Sequence, residues 1–188
     1  MVEVDKKVVR DLMTPVGDFP RISLNATFGA AVAALDKAQE DFVAGRAKQR
    51  ILLVEDEQGR IVGKLSPMDV MQGLEPGYVR MMNTENLRYR DVDYVVRTMR
   101  EQTRLWAKPF DDLCKTAQDV QVKEFLRKPS ESTLIQAGDS LDAAFHRFVV
   151  GRHDSLFVKE GKELIGLLRF SDVYREVSRR IKDVCATE

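Results

Sequence analysis

Ser66 and Asp69 stand three residues apart, directly after the apolar run Ile61 to Leu65. Asp172 follows Gly166-Leu167-Leu168 in the same way, with Arg169 in the place of the serine. An Asp carboxylate in the first turn of a helix can do two kinds of work. It can accept charge-assisted hydrogen bonds from a pair of vicinal hydroxyls, each worth about 1.5–3 kcal/mol. It can instead accept from the backbone N–H three residues earlier and close a capping box, which stabilises the helix and binds nothing. The spacing Ser66-x-x-Asp69 fits both, with Asp where Glu or Gln is usual. The Ser66 hydroxyl and the free N–H groups of the helix start also suit a phosphate. Gly63 lets another backbone approach closely. Arg50, Arg152 and His153 immediately precede two further apolar runs. They suit a phosphate at the strand ends, or stand as solvated turn residues.

Other chemistry is poorly supported. The chain has two histidines and two cysteines, Cys114 and Cys185, with no metal-ligand spacing among them. His146 lies beside an apolar helix face and reads as structural. There is no Ser-His-Asp order, paired-carboxylate motif or phosphate-binding glycine loop. Arg97, Arg100 and Arg104 are interspersed with acids and read as a solvated face. The sequence therefore predicts no catalytic activity and no metal.

The elements that position these residues occur twice. Phe28, Ala31, Val32 and Leu35 return 113 positions later as Leu141, Ala144, Phe145 and Phe148. Gly63 to Val70 returns after 103 positions as Gly166 to Val173. Each copy reads as a lead-in segment, a brief strand, an amphipathic helix, a strand hairpin and a closing helix. In the first copy these are Val8 to Met13, Ile22 to Leu24, a helix to about Ala44 capped by Asn25 or Thr27, and the strands 51–54 and 61–65. Gly45 is a natural helix stop, and Pro67 suits a first helical position. In the second they are Val122 to Leu126, Ser132 to Ile135, Leu141 to Val150 stopped by Gly151, and the hairpin Leu156 to Leu168. The last helix carries Val173, Tyr174, Val177, Ile181 and Val184 on one stripe. A duplicated unit places its site between the copies. The division expected is 1–75 for the first repeat, 76–121 for an inserted helical segment, and 122–188 for the second repeat with its C-terminal helix. In the insertion, Val92, Val95, Val96, Met99 and Trp106 follow a helical period over Asp91 to Trp106, and Phe110 to Val120 reads as a second short helix. The stripe suits packing against the repeats or a subunit interface.

Lys+Arg and Asp+Glu number 30 each, so bulk electrostatics gives no reason to bind nucleic acid or an anionic membrane. No run approaches the ~18 apolar residues of a membrane span. Two cysteines and an N-terminus without a signal-peptide pattern fit the cytoplasm.

Helix, short strand, helix, hairpin and Gly-h-h-Ser-x-x-Asp, twice in that order, resembles a tandem pair of CBS domains, the Bateman module, over residues 8–75 and 122–182. Arg10-Asp11-Leu12-Met13-Thr14-Pro15 is similar to the family's opening. Arg50-Ile51-Leu52-Leu53-Val54-Glu55-Asp56 is similar to its middle strand, and Gly63 to Asp69 to its closing motif. The resemblance implies an α/β fold of two β-α-β-β-α units packed with pseudo-two-fold symmetry. It implies a non-catalytic regulatory module that homodimerises and binds AMP, ADP, ATP or S-adenosylmethionine, with Asp69 on the ribose and an unknown regulated protein as partner. A ligand-free dimeric scaffold is the alternative. The chain departs from the pattern at Leu52 and Leu156, where Pro is frequent, and at Arg169. Arg127-Lys128-Pro129-Ser130 is only a loose match to the opening. These departures favour one functional cleft, the one containing Asp69.

Overall fold

The computed structural model describes residues 7–74 and 113–185. The Asp91 to Trp106 stripe and the three arginines within it lie outside the described residues, as do the side chains of Val184 and Cys185. The chain forms two compact units, and they do not follow the linear halves. One is Phe19–Lys128; the other joins Met1–Asp18 to Pro129–Glu188.

In the first unit, β2 (Arg21–Ser23) runs parallel to β3 (Leu52–Glu55), which pairs antiparallel with β4 (Ile61–Leu65). Leu52, Leu53 and Val54 are all buried, as expected of a central strand covered on both faces. The hairpin turns where the Asp56 carboxylate accepts from the N–H groups of Gln58 and Arg60, with Gly59 in the left-handed region. Arg60 beside it holds the Asp56 carboxyl below its ordinary value. α2 (Phe28–Val43) starts where the Thr27 side chain accepts from the Ala30 N–H at 3.2 Å, and Gly45 follows its end at positive φ. Its buried face is Phe28, Ala31, Leu35 and Ala38, while Phe42 at the far end stays exposed. α3 (Pro67–Gly73) follows β4 directly.

The residues that close this core come from much later in the chain. α4 (Leu113–Asp119) lies against α2, and α5 (Val122–Phe125) follows it. Val122, Phe125 and Leu126 are buried among Phe28, Ala31, Leu52 and Leu65. The Phe125 ring meets Phe28 edge-on at 5.8 Å. The N–H groups of Val122 and Lys123 donate to the carbonyls of Ala26 and Leu24.

The second unit is built the same way. β5 (Leu134–Gln136) is parallel to β6 (Ser155–Glu160), and β6 is antiparallel to β7 (Glu163–Arg169). α6 (Leu141–Gly151) opens where the Ser140 hydroxyl accepts from the Ala143 N–H, and α7 (Phe170–Cys185) closes the unit. The missing part is supplied by α1 (Val9–Leu12) and β1 (Thr14–Pro15), which adds antiparallel to β7. Here the N–H groups of Val9 and Arg10 donate to the carbonyls of Asp139 and Ala137. Adding 113 to Val9, Arg10, Leu24 and Ala26 gives Val122, Lys123, Ala137 and Asp139. The same two backbone bonds thus form in each unit, but always between the lead-in of one copy and the body of the other. The compact units therefore differ from the sequence repeats expected at 1–75 and 122–188. The physical reason is that each helix and sheet leaves an apolar face and open backbone groups, and the lead-in of the other copy fills both.

Two sequence expectations change with this exchange. A Cβ on Gly63 would lie 2.8 Å from Leu126 Cδ1, and one on Gly166 would lie 2.6 Å from the Thr14 carbonyl oxygen. The two motif glycines leave room for the exchanged lead-ins. Gly151 does not end its helix in the left-handed region; Arg152 does, at φ 49°. Gly151 is small because the His153 ring occupies the space a side chain would need.

The C-terminal stripe is only partly internal. Val173 is 1% exposed, whereas Tyr174 is 63% and Ile181 57% exposed, and Phe145 and Val149 of α6 also face out. Glu176 is 6% exposed and unites the unit's two chain segments: Lys7 donates to it at 3.0 Å, joined by Arg179 and Arg180. Arg179 first, with Arg180 and Lys7, holds its carboxyl far below the ordinary 4.5 against the opposing effect of burial. A carboxyl depressed in the folded state contributes stability that is present above its unfolded value and lost as pH falls toward the folded one. Glu176→Gln therefore lowers stability near neutrality, by about 1–3 kcal/mol for the charge-assisted bonds it weakens. The gap to wild type narrows below about pH 4, near the unfolded carboxylate range. Urea unfolding at pH 7 and pH 3 checks this, and an equal gap at both values contradicts it.

Candidate functional site

Ser66 and Asp69 meet where β4 ends. Pro67 takes the first helical position of α3, where its missing N–H is no loss. The Ser66 N–H donates to Asp69 Oδ2 at 2.8 Å, the Ser66 hydroxyl reaches the same oxygen at 2.6 Å, and the Asp69 N–H faces Ser66 Oγ at 3.4 Å. The capping box is therefore formed. It uses only one carboxylate oxygen: among the described residues no donor faces Asp69 Oδ1. Asp69 is half-buried. The cap thus fixes the side chain while leaving one oxygen available, so the two readings of the motif are compatible.

The second motif is wired differently. Arg169, in the place of Ser66, forks onto Asp172, with Nε donating to Oδ2 at 2.7 Å and Nη2 to Oδ1 at 2.9 Å. Arg175 adds a contact to Oδ1 at 3.3 Å. Asp172 is 8% exposed with both oxygens engaged. A bidentate guanidinium satisfies the carboxylate fully, and Arg175 is a partner that the motif alone did not single out. Its position three residues after Asp172 on a helix was the available signal.

The remaining predicted residues precede the middle strands, whose first residues pair with the ends of β4 and β7: Leu52 with Leu65 and Ser155 with Arg169. Arg50 is exposed, with its guanidinium 6.0 Å from the centre of the Phe42 ring. It lines an apolar groove between α2, α3 and α4 that Asp69 does not line. Arg152 is exposed at the end of α6, and the ring of His153 fills the space beside Gly151. Arg50, Gly63, Ser66 and Asp69 belong to the first unit, and Arg152, His153 and Asp172 to the second. Among the described residues, no three His, Cys, Asp or Glu side chains gather to hold a metal, and no helix is long and apolar enough to cross a membrane.

No family model matches the sequence, and no curated protein matches it. Solved structures do. A CBS domain-containing protein of unknown function from Kribbella flavida matches 92% of this chain and 98% of its own, at 20% identity and a TM-score of 0.50. The structure of CBSX2 in complex with AMP matches 92% of this chain and 97% of its own, at 19% identity and a TM-score of 0.53. The CBS domain of a bacterial CNNM/CorC family Mg2+ transporter in complex with ATP matches 92% of this chain and 87% of its own, at 15% identity and a TM-score of 0.57. At such identities the likeness speaks for the fold, and it extends over both repeats: the chain has the fold of a tandem CBS-domain protein.

Proposed function

We propose that this chain is a regulatory module that binds an adenine nucleotide and has no catalytic activity of its own. The observation that carries the reading is the likeness of nearly the whole chain to CBS-domain structures, two of them described as complexes with AMP and with ATP. The first unit supplies chemistry that suits a ribose: Asp69 is held by its cap, and among the described residues no donor faces its Oδ1. The second unit's Asp172 is occupied by Arg169, which favours one adenosyl site over two. AMP, ADP, ATP and S-adenosylmethionine are the ligands to screen. The site belongs to a cytoplasmic protein whose regulated partner reads the ligand-bound form.

The chain also has a surface suited to a second copy. Phe145, Val149, Tyr174, Val177 and Ile181 expose apolar area on α6 and α7. A homodimer through that face follows, and sedimentation at micromolar concentration should give twice the 21.4 kDa chain mass. A sedimenting mass of one chain contradicts it. The same face favours the alternative of a ligand-free dimeric scaffold. A thermal-shift screen separates the two readings. A ligand at about 100 times its dissociation constant adds about 2.7 kcal/mol to the folded state. No shift with any of the four supports the scaffold.

A further inference from the structure

The first unit carries an apolar groove of about 650 Å³ between α2, α3 and α4, within the size range of pockets that bury small molecules. Its two ends differ. At the start of α2 it is lined by Phe28 and Ala117, and a Cβ on Gly29 would lie 3.1 Å from the Ala117 carbonyl oxygen, so α4 packs closely there and stops the groove. Val32, Val70 and Met71 continue the apolar lining along α2 and α3. Toward the end of α2 the lining turns polar, with Asp36, Gln39 and Arg50. Arg50 reaches this end because it precedes β3 and its guanidinium stands over Phe42, in the last turn of α2.

Among the described residues, none of these three polar side chains has a hydrogen-bond or ion-pair partner, whereas Asp41 on the same helix takes both Lys37 and Arg46. A guanidinium at the rim of an apolar groove is a bidentate site for a carboxylate. Asp36 lines the same end and repels a multiply charged phosphate, so a single negative charge fits better than several. From Phe28 to Gln39 the lined stretch of α2 runs roughly 16 Å, the length of an extended medium-chain acyl group. A groove stopped at one end admits a slender chain more readily than the broad face of another protein. We propose that it binds a medium-chain carboxylic acid, with the chain along Val32, Val70 and Met71 and the carboxylate on Arg50. Burial of the chain supplies the affinity, and the ion pair fixes its direction. Asp69 does not line the groove, so this inference does not rest on nucleotide binding.

The test is titration calorimetry of the intact chain, without nucleotide, using octanoate, decanoate, dodecanoate and decanol below their micelle concentrations. The acids should bind at one per chain, with affinity rising about three- to fourfold for each added methylene. Decanoate should bind about tenfold tighter than decanol, the expected gain from one charge-assisted contact. Arg50→Gln should remove that preference for acid over alcohol while the melting temperature stays unchanged. Met71→Glu places a like charge in the groove and should abolish binding of the acids. If Met71→Glu fails to fold, Arg50→Gln alone still reports. No saturable binding of any acid, equal affinity for decanoate and decanol, or a preference for the acid unchanged in Arg50→Gln would each overturn the proposal. A wild type that binds no acid, with a Met71→Glu variant that sediments at half the wild-type mass, would overturn it in favour of a second copy.

Discussion

Phe125→Ala is expected to destabilise the first unit by about 3–5 kcal/mol, the cost of removing a fully buried aromatic side chain and leaving its space empty. Phe125 is fully buried, meets Phe28 edge-on, and lies against Gly73, where a Cβ would come within 2.8 Å of its ring. In a linear reading Phe125 belongs to the second repeat. In the exchanged arrangement it belongs to the core of α2, β3 and β4. The effect therefore distinguishes the two. Hydrogen exchange of the variant should show lost protection in residues 19–74, with residues 134–169 little changed. Lost protection chiefly in 134–169 would mean the exchange is wrong. Val9→Ala is the converse variant, milder because Val is smaller, and should act on the second unit.

Asp69→Asn and Asp172→Asn are expected to fail in different ways. Asn at 69 keeps the size and a cap acceptor, so the ligand-free melting temperature changes little. It removes the charge that strengthens bonds to ribose hydroxyls, and nucleotide affinity should fall tenfold or more, about 1.4 kcal/mol or above. Asn at 172 leaves the Arg169 fork without a carboxylate in a site that is only 8% exposed. That variant should lose about 1–3 kcal/mol of stability and little affinity. Denaturant unfolding and nucleotide titration of both variants make the comparison. Equal affinity losses would refute the asymmetry between the motifs. Destabilisation by Asp69→Asn at unchanged affinity would show that the carboxylate only caps its helix.

The sequence made the repeated elements legible because each carries its own local signal. Thr27 and Ser66 cap where caps were expected, Gly45 and Gly59 adopt positive φ, and Leu52 to Val54 form a buried strand. The exchange of lead-in segments is not legible in the sequence, because Val8 to Met13 has the same local pattern whichever copy it packs against. Its partner is chosen by non-local backbone bonds, such as Val9 N–H to the Asp139 carbonyl. The constant offset of 113 held the clue, since it relates the lead-ins as well as the helices. The glycines of the closing motif were visible as small residues, but what they make room for, Leu126 and Thr14, depends on that exchange. At the site, spacing predicted the Ser66 to Asp69 bond. The substitution of Arg169 was visible, and its fork onto Asp172 is the geometry an Arg three residues before an Asp can adopt at a helix start.

Isothermal titration of the intact chain with AMP, ADP, ATP and S-adenosylmethionine tests the central claim most directly. The account predicts saturable heat with at least one of them, at one ligand per chain, abolished or weakened tenfold in Asp69→Asn and retained in Asp172→Asn. Absence of binding heat with all four, together with no change in melting temperature at millimolar ligand, would contradict it and leave the chain as a dimeric scaffold.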